Sequence, residues 1–313
     1  MKTRLFTLAA LALTMASCSQ DGDNTPVDLK DTPIQVNASV SPMASLKDTK
    51  AGYEASTSLP SQFYLTILNS SNNDYSYNAM MKNADSKWTS YTYDGTGALK
   101  MNWADNTTHV TVKAATFDFK DKTTVALAVV ADQSSDDNVK QSDHLMMALD
   151  KSDVTPNEAG LSVTLDHLMA KIVFTLKLSD EFDAKTAEPS DIKFAGTKLN
   201  GTLTMADASW AVSGDAATIT PYKTGWTAPT ANATGVATYE AIVAPQTVEA
   251  NGFTVTFNVG TRSFTWTYDK QFEFKKGIKY DLTLTAGDAT LSKASFTTTA
   301  FDGDSTTGSI TAK

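Results

Sequence analysis

Residues able to do covalent or metal chemistry are scarce in this chain of 313 residues, which holds one cysteine and three histidines. The histidines, His109, His144 and His167, are far apart in the sequence and have neither an HExxH nor any other metal-ligand spacing. There is no GxSxG elbow, no P-loop and no GxGxxG. Asp21-Gly22-Asp23 and Asp302-Gly303-Asp304 open as a calcium loop opens, but neither has the glutamate that closes one, and both are expected to be solvated turns. The expected catalytic set is therefore none, as are the expected metal site and cofactor. His109 and His167 fall within strand patterns, where a hydrogen-bonded structural role is expected. Trp88, Tyr91 and Tyr93 suit either a sugar-binding face or a strand that borders a core.

The cysteine has a telling position. Lys2 and Arg4 precede an apolar run over 5–15, and the small residues Ala16 and Ser17 follow it, directly before Cys18. The run is roughly half the length a membrane span needs, so it reads as an export signal cut between Ser17 and Cys18. Met15-Ala16-Ser17-Cys18 resembles the lipobox of bacterial lipoproteins, with Met where Leu is usual, and Cys18 is the expected lipidation site. Two or three acyl chains, at about 0.8 kcal/mol per buried methylene, hold a protein on a membrane where one chain would not. Residues 19–24 are polar and acidic, a composition that cannot build a core and suits a tether. They are similar to the surface-export signal of Bacteroidetes lipoproteins.

A formal net charge of −9 argues against a nucleic-acid partner, since no basic stripe is present to displace counterions. With Cys18 taken by lipid no disulfide is possible, and sheet pairing and core burial must carry the stability. Threonine is frequent, Pro and Gly punctuate often, and apolar residues recur with period two, the signature of antiparallel sheet. In KIVFTLKL (171–178), Ile172, Phe174, Leu176 and Leu178 share one face; FTVTFNVGTRSFTWTY (253–268) predicts a hairpin turning at Gly260-Thr261. Further strands are expected over 34–40, 63–68, 109–117, 125–131, 161–165, 191–196, 199–205, 239–244, 278–286 and 294–301. Short helices are expected only over 138–149 and 180–186, and 132–143 reads as a surface loop. The fold class is all-β, with two sandwich domains: signal 1–17, tether 18–33, an N-terminal domain 34–165 and a C-terminal domain 166–313.

Three stretches resemble the fimbrillin family of Bacteroidales, the subunits and accessory proteins of type V pili. DHLMAKIVFTL (166–176) is similar to a recurrent His-x-x-Ala/Ser-Lys before an alternating strand, here His167, Ala170 and Lys171. FEFKKGIKYDLTLT (272–285) is similar to F-x-x-G-x-x-Y-x-[IVL]-x-[IVL], here Phe274, Gly277, Tyr280, Leu282 and Leu284. DTKAGYEAS (48–56) stands where many members carry a Thr-Arg-Ala processing segment.

The resemblance implies two transthyretin-like Greek-key sandwiches and assembly by strand exchange with other pilin subunits. A protease would remove the first strand together with the lipid, and a strand from another subunit, supplied by its C-terminal end, would fill the groove. On this reading Ile34, Val36, Ala38 and Val40 face inward on the detachable strand. Cleavage falls at Lys50-Ala51 or near Lys47, where lysine replaces the family's arginine. The donor would lie in 294–301 and the tail through Lys313, whose last eight residues hold only Ile310 as a large apolar side chain. The expected location is the outer membrane or a surface fimbrium, with the lipid on Cys18 as the membrane partner. The alternatives are a lipid-retained anchor, or a tip adhesin or surface lipoprotein holding a host ligand or glycan. Asp304-Ser305-Thr306 also fits the short acceptor pattern for O-glycosylation in Bacteroidetes.

Overall fold

The computed structural model of the chain describes residues 27–45, 59–85, 87–179, 188–230, 233–287, 291–297 and 310–312. Ser17, Cys18, Lys47, Lys50, Ala51, the helix expected over 180–186, both acidic triplets and Asp304-Ser305-Thr306 lie outside the described residues.

In chain order the strands of the first part are β1 (Val36–Val40), β2 (Ala44–Ser45), β3 (Gln62–Leu68), β4 (Tyr77–Ala84), β5 (Lys87–Thr92), β6 (Val110–Ala115), β7 (Thr124–Ala128), β8 (Leu145–Met147), β9 (Asp153–Val154) and β10 (Leu161–His167). There follow β11 (Ala170–Leu178), β12 (Pro189–Thr204), β13 (Trp210–Ile219), β14 (Tyr222–Thr227), β15 (Gly235–Val243), β16 (Gln246–Val248), β17 (Phe253–Val259) and β18 (Arg262–Tyr268). The last are β19 (Phe272–Phe274), β20 (Ile278–Ala286), β21 (Leu291–Thr297) and β22 (Ile310–Ala312). The protein is an all-β sandwich. Among the described residues α1 (Asp136–Ser142) is the one α-helix, capped by the Ser135 side chain on the Asn138 N–H.

The first sheet runs β1-β10-β8-β6-β3-β4-β5 and curls until β1 approaches β5. It encloses a core that includes Phe63, Leu65, Trp103 and Val112, together with Leu161, Val163 and Leu165 of β10, all three fully buried. In the second half two sheets face each other, β14-β15-β11-β20-β2 with β21 also on β20, and β13-β12-β17-β18-β22. Between them lie Phe174, Phe194, Phe253, Phe257 and Trp266.

The two halves are sewn together. β7 leaves the first half and pairs antiparallel with β12, Leu127 opposite Gly201 and Val125 opposite Leu203. A junction core of Met43, Phe117, Leu127, Met146, Met169, Leu203 and Ile242 draws on both halves. Fully buried Gln133 stands in for a strand here: its Nε2 donates to the carbonyls of Val130 and Ile242, and its Oε1 accepts from the Ile242 N–H at 2.8 Å. Gln246 does the same for Lys198, accepting from its N–H and donating to its carbonyl.

Three expectations need correction. Helix over 138–149 stops at Ser142, and Leu145–Met147 is strand, because Leu145 and Met147 enter the first core while Met146 enters the junction. The segment 132–143 is no plain surface loop, since it carries α1 and the buried Gln133. The two strands expected over 191–205 are one, β12, bent by register shifts beside Gly196 (φ 102°), where a Cβ would lie 1.7 Å from the Gly252 carbonyl oxygen.

His144 ties β7 to the junction, its Nε2 2.9 Å from the Ala128 carbonyl and its ring edge-on to Phe117. Burial pushes its pKa below the ordinary 6.5, against a smaller opposite pull from the Ala128 carbonyl and Asp143. The neutral ring is thus favoured by folding. Its contribution is fully present above the unfolded value and is lost as pH falls from there through the folded value. Denaturant midpoints should drop as pH falls from about 7.5 to about 5, and His144→Gln should make that drop shallower.

Candidate functional site

The first described residues form a strip that closes both halves. The Leu29 N–H donates to Asn106 Oδ1 at 2.7 Å, and Asn106 Nδ2 donates to the Val27 carbonyl. Asp31 and Ile34 donate to the carbonyls of Trp103 and Met101, and Trp103 returns a bond to Thr32. From there the chain runs parallel to β10, Val36 opposite Leu161 through Val40 opposite Leu165, with the Ser41 N–H on the Leu165 carbonyl. It then crosses to the second half, where Ala44 and Ser45 pair in parallel with Ile278 and Lys279. β1 is an edge strand, with a single hydrogen-bonded neighbour.

Alternation decides what the strip buries. Ile34, Val36 and Val40 are buried and Ala38 is partly so, while Asn37 and Ser39 face solvent. Leu29 and Met43 add an anchor at either end. At about 2 kcal/mol per buried aliphatic side chain, these five anchors contribute on the order of 10 kcal/mol. Without the strip, β10 would present unpaired backbone groups above Leu161, Val163 and Leu165.

One residue is fitted to the strip. Gly160 has φ 84°, and a Cβ there would stand 2.3 Å from the Gln35 carbonyl oxygen, which accepts the Leu161 N–H at 2.7 Å. Side chains add two more ties, Asn37 Nδ2 to the Ala159 carbonyl and Ser39 Oγ against Thr164 Oγ1.

Two of the three resembling stretches lie beside the crossing. His167 Nδ1 is 2.8 Å from Asp143 Oδ1, and Lys171 Nζ is 2.6 Å from Glu240 Oε2, so each basic side chain of the first motif meets a carboxylate brought from elsewhere in the chain. Ala170 between them is fully buried. In the second motif Tyr280 locks its own turn: its hydroxyl donates to the Glu273 carbonyl and accepts the Lys275 N–H, both at 2.8 Å. Burial raises its pKa to about 12. Gly277 supplies the positive φ of that turn, and its N–H reaches the Met169 carbonyl.

The other candidates divide. His109 is exposed beside Asp153 and Thr155. Trp88, Tyr91 and Tyr93 are half-buried, set against Phe63, Lys82 and Tyr64 respectively, and Tyr93 also donates to Asp118. Among the described residues no group of His, Cys, Asp or Glu could hold a metal ion, and no helix is long and apolar enough to cross a membrane. At the other end of the chain, β21 pairs with β20 and β22 with β18.

A family model described as fimbrillin-like matches residues 27–300. The chain belongs to the fimbrillin-like family. The match begins with the strip and ends beyond β21. No curated protein matches the chain in sequence. Among solved structures, a candidate cell adhesion protein from Bacteroides ovatus is similar with TM-score 0.60 and 14% identity, over 90% of this chain and 98% of that one. Another from Bacteroides uniformis gives TM-score 0.51 and 16% identity, over 82% of this chain and 94% of that one. These two likenesses concern the fold. Membership in the family makes this fimbrillin-like chain a pilus subunit or adhesin of the cell surface.

Gly160→Ala should loosen the strip by more than about 1 kcal/mol, because the new methyl strikes Gln35 and the backbone is held at positive φ. Hydrogen exchange followed by mass spectrometry should show faster exchange over Val36–Val40, with β17 and β18 unchanged.

Proposed function

We propose that the chain is a structural subunit of a type V pilus, exported as a lipoprotein through Cys18 and assembled by strand exchange after proteolysis at Lys50-Ala51 or near Lys47. The single observation that supports this is the strip: an edge strand, held on one side only, that supplies apolar anchors to the first core and the junction and pairs with strands of both halves. Its removal would leave a trough with a ready row of backbone donors and acceptors, and a strand of another subunit would satisfy both. Each backbone bond regained contributes about 1 kcal/mol net, on top of the apolar area covered. The donor would come from the C-terminal end, by release of β21 or β22 from its own sheet. In this reading the chain divides into an N-terminal sandwich over 34–165 and a C-terminal one over 166–313.

Lysine at the position of the family's arginine supports a second reading, an anchor that keeps its strip and its lipid. N-terminal sequencing of protein taken from the cell surface separates the two: a start at Ala51 marks a polymerising subunit, a start at Cys18 an anchor. Limited digestion of the purified chain with trypsin should give ladders of oligomers that resist heating in detergent; a monomer under every digestion regime would rule out the polymerising subunit.

A further inference from the structure

The two ends of the first sheet, β1 and β5, approach each other with no ladder between them, and a cavity of about 520 Å³ opens along the seam. Its inner part is lined by Ala38 of β1, Met81 of β4, and Trp88 and Ser90 of β5. These lie on the side that faces the first core: Met81 is opposite Ser90 and belongs to that core, while Ala38 and Trp88 pack against it. Asn37 and Lys87, both exposed, form a polar rim. Trp88 meets Phe63 edge-on, with ring centroids 4.7 Å apart, yet remains only half-buried. Ala38 is the weak point of the strip. It alternates with Ile34, Val36 and Val40, all buried, but it carries a single methyl and stays partly exposed beside the cavity. A void beside apolar side chains forfeits contacts that a larger residue at this position restores.

We propose that this cavity receives an aromatic side chain at the position of Ala38, carried by the strand of a second copy that replaces the strip, and that this side chain is Phe296. The inference rests on the strand-exchange reading and adds to it a register and an anchor. Ala38 has inward positions on both sides of it, so its replacement must be central in the donor strand. Over 294–301 the aromatic residues are Phe296 and Phe301. Phe296 lies within β21, opposite Leu282, with Ala294 and Thr298 two places to either side. Phe301 runs directly into Asp302-Gly303-Asp304, a turn composition that ends a strand. At the Ala38 position a phenyl ring lies beside Met81 and Trp88, where sulfur and aromatic contacts both favour it.

The test has two arms. In the uncleaved full-length chain, Ala38→Phe is compared with Ala38→Thr, which matches its strand propensity without its volume, by amide hydrogen exchange over Val36–Val40. Ala38→Phe should exchange about tenfold more slowly, the low end of what burying a phenyl group contributes. Equal or faster exchange would overturn the pocket. In the trypsin-digested chain, Phe296→Ala should give ladders that fall apart on heating in detergent, while those of Phe301→Ala persist. Unchanged exchange over β17 and β18 checks that the Phe296→Ala chain is folded, and the first arm does not depend on it. Ladders from Phe296→Ala as resistant as those of the unsubstituted chain would overturn the anchor. Failure of strand exchange itself is seen separately, as no ladder from the unsubstituted chain, whatever Ala38→Phe does.

Discussion

The structure depends on the backbone pairing of residues 36–45 with β10 and β20. That pairing joins the first described residues to strands far along the sequence, and it does so on an edge, where a ladder can be opened without breaking the sheet behind it. The chain has one cysteine, so no disulfide can hold the strip in place. What holds it is a row of parallel hydrogen bonds and its apolar anchors, and the same terms are available to any other strand of matching alternation.

If the strip leaves on assembly, as proposed, the body must survive its removal. The β7–β12 pair supplies part of this, binding the halves through a ladder that does not involve the strip. Gln133 and Gln246 supply more, each using a side-chain amide to satisfy a backbone N–H and carbonyl where no strand reaches. Leu127 and Leu203 pack the seam from both sides. Met43 is the strip's own contribution to that seam, in one cluster with Met146, Met169 and Met205, side chains flexible enough to close over a change of neighbour.

Much of this was legible in the sequence. Alternation placed Ile34, Val36, Ala38 and Val40, and the 253–268 hairpin turns at Gly260-Thr261 as the spacing predicts. Other elements hid because both of their faces are buried. β8 reads Leu-Met-Met, and β4 has Ala79, Met80 and Met81 buried in succession, so neither shows period two. β13 hid for the opposite reason: Val212–Ala217 mixes small and polar residues on an exposed edge, without an apolar face to mark it. The glutamine substitutes for strands, the insertion of β7 into the far sheet and the carboxylate partners of His167 and Lys171 are long-range facts, and no local pattern announces them.

The central claim is that β1 must leave β10 before the protein can assemble. Ala38 and Val163 are direct partners in the parallel register, and neighbouring strands lie about 4.8 Å apart, within the span a disulfide bridges. The measurement is the oligomer ladder formed after trypsin digestion of an Ala38→Cys, Val163→Cys chain, oxidised and then reduced. The account predicts monomer while the bond is intact and a ladder once it is reduced. Equal ladders in both states would contradict it.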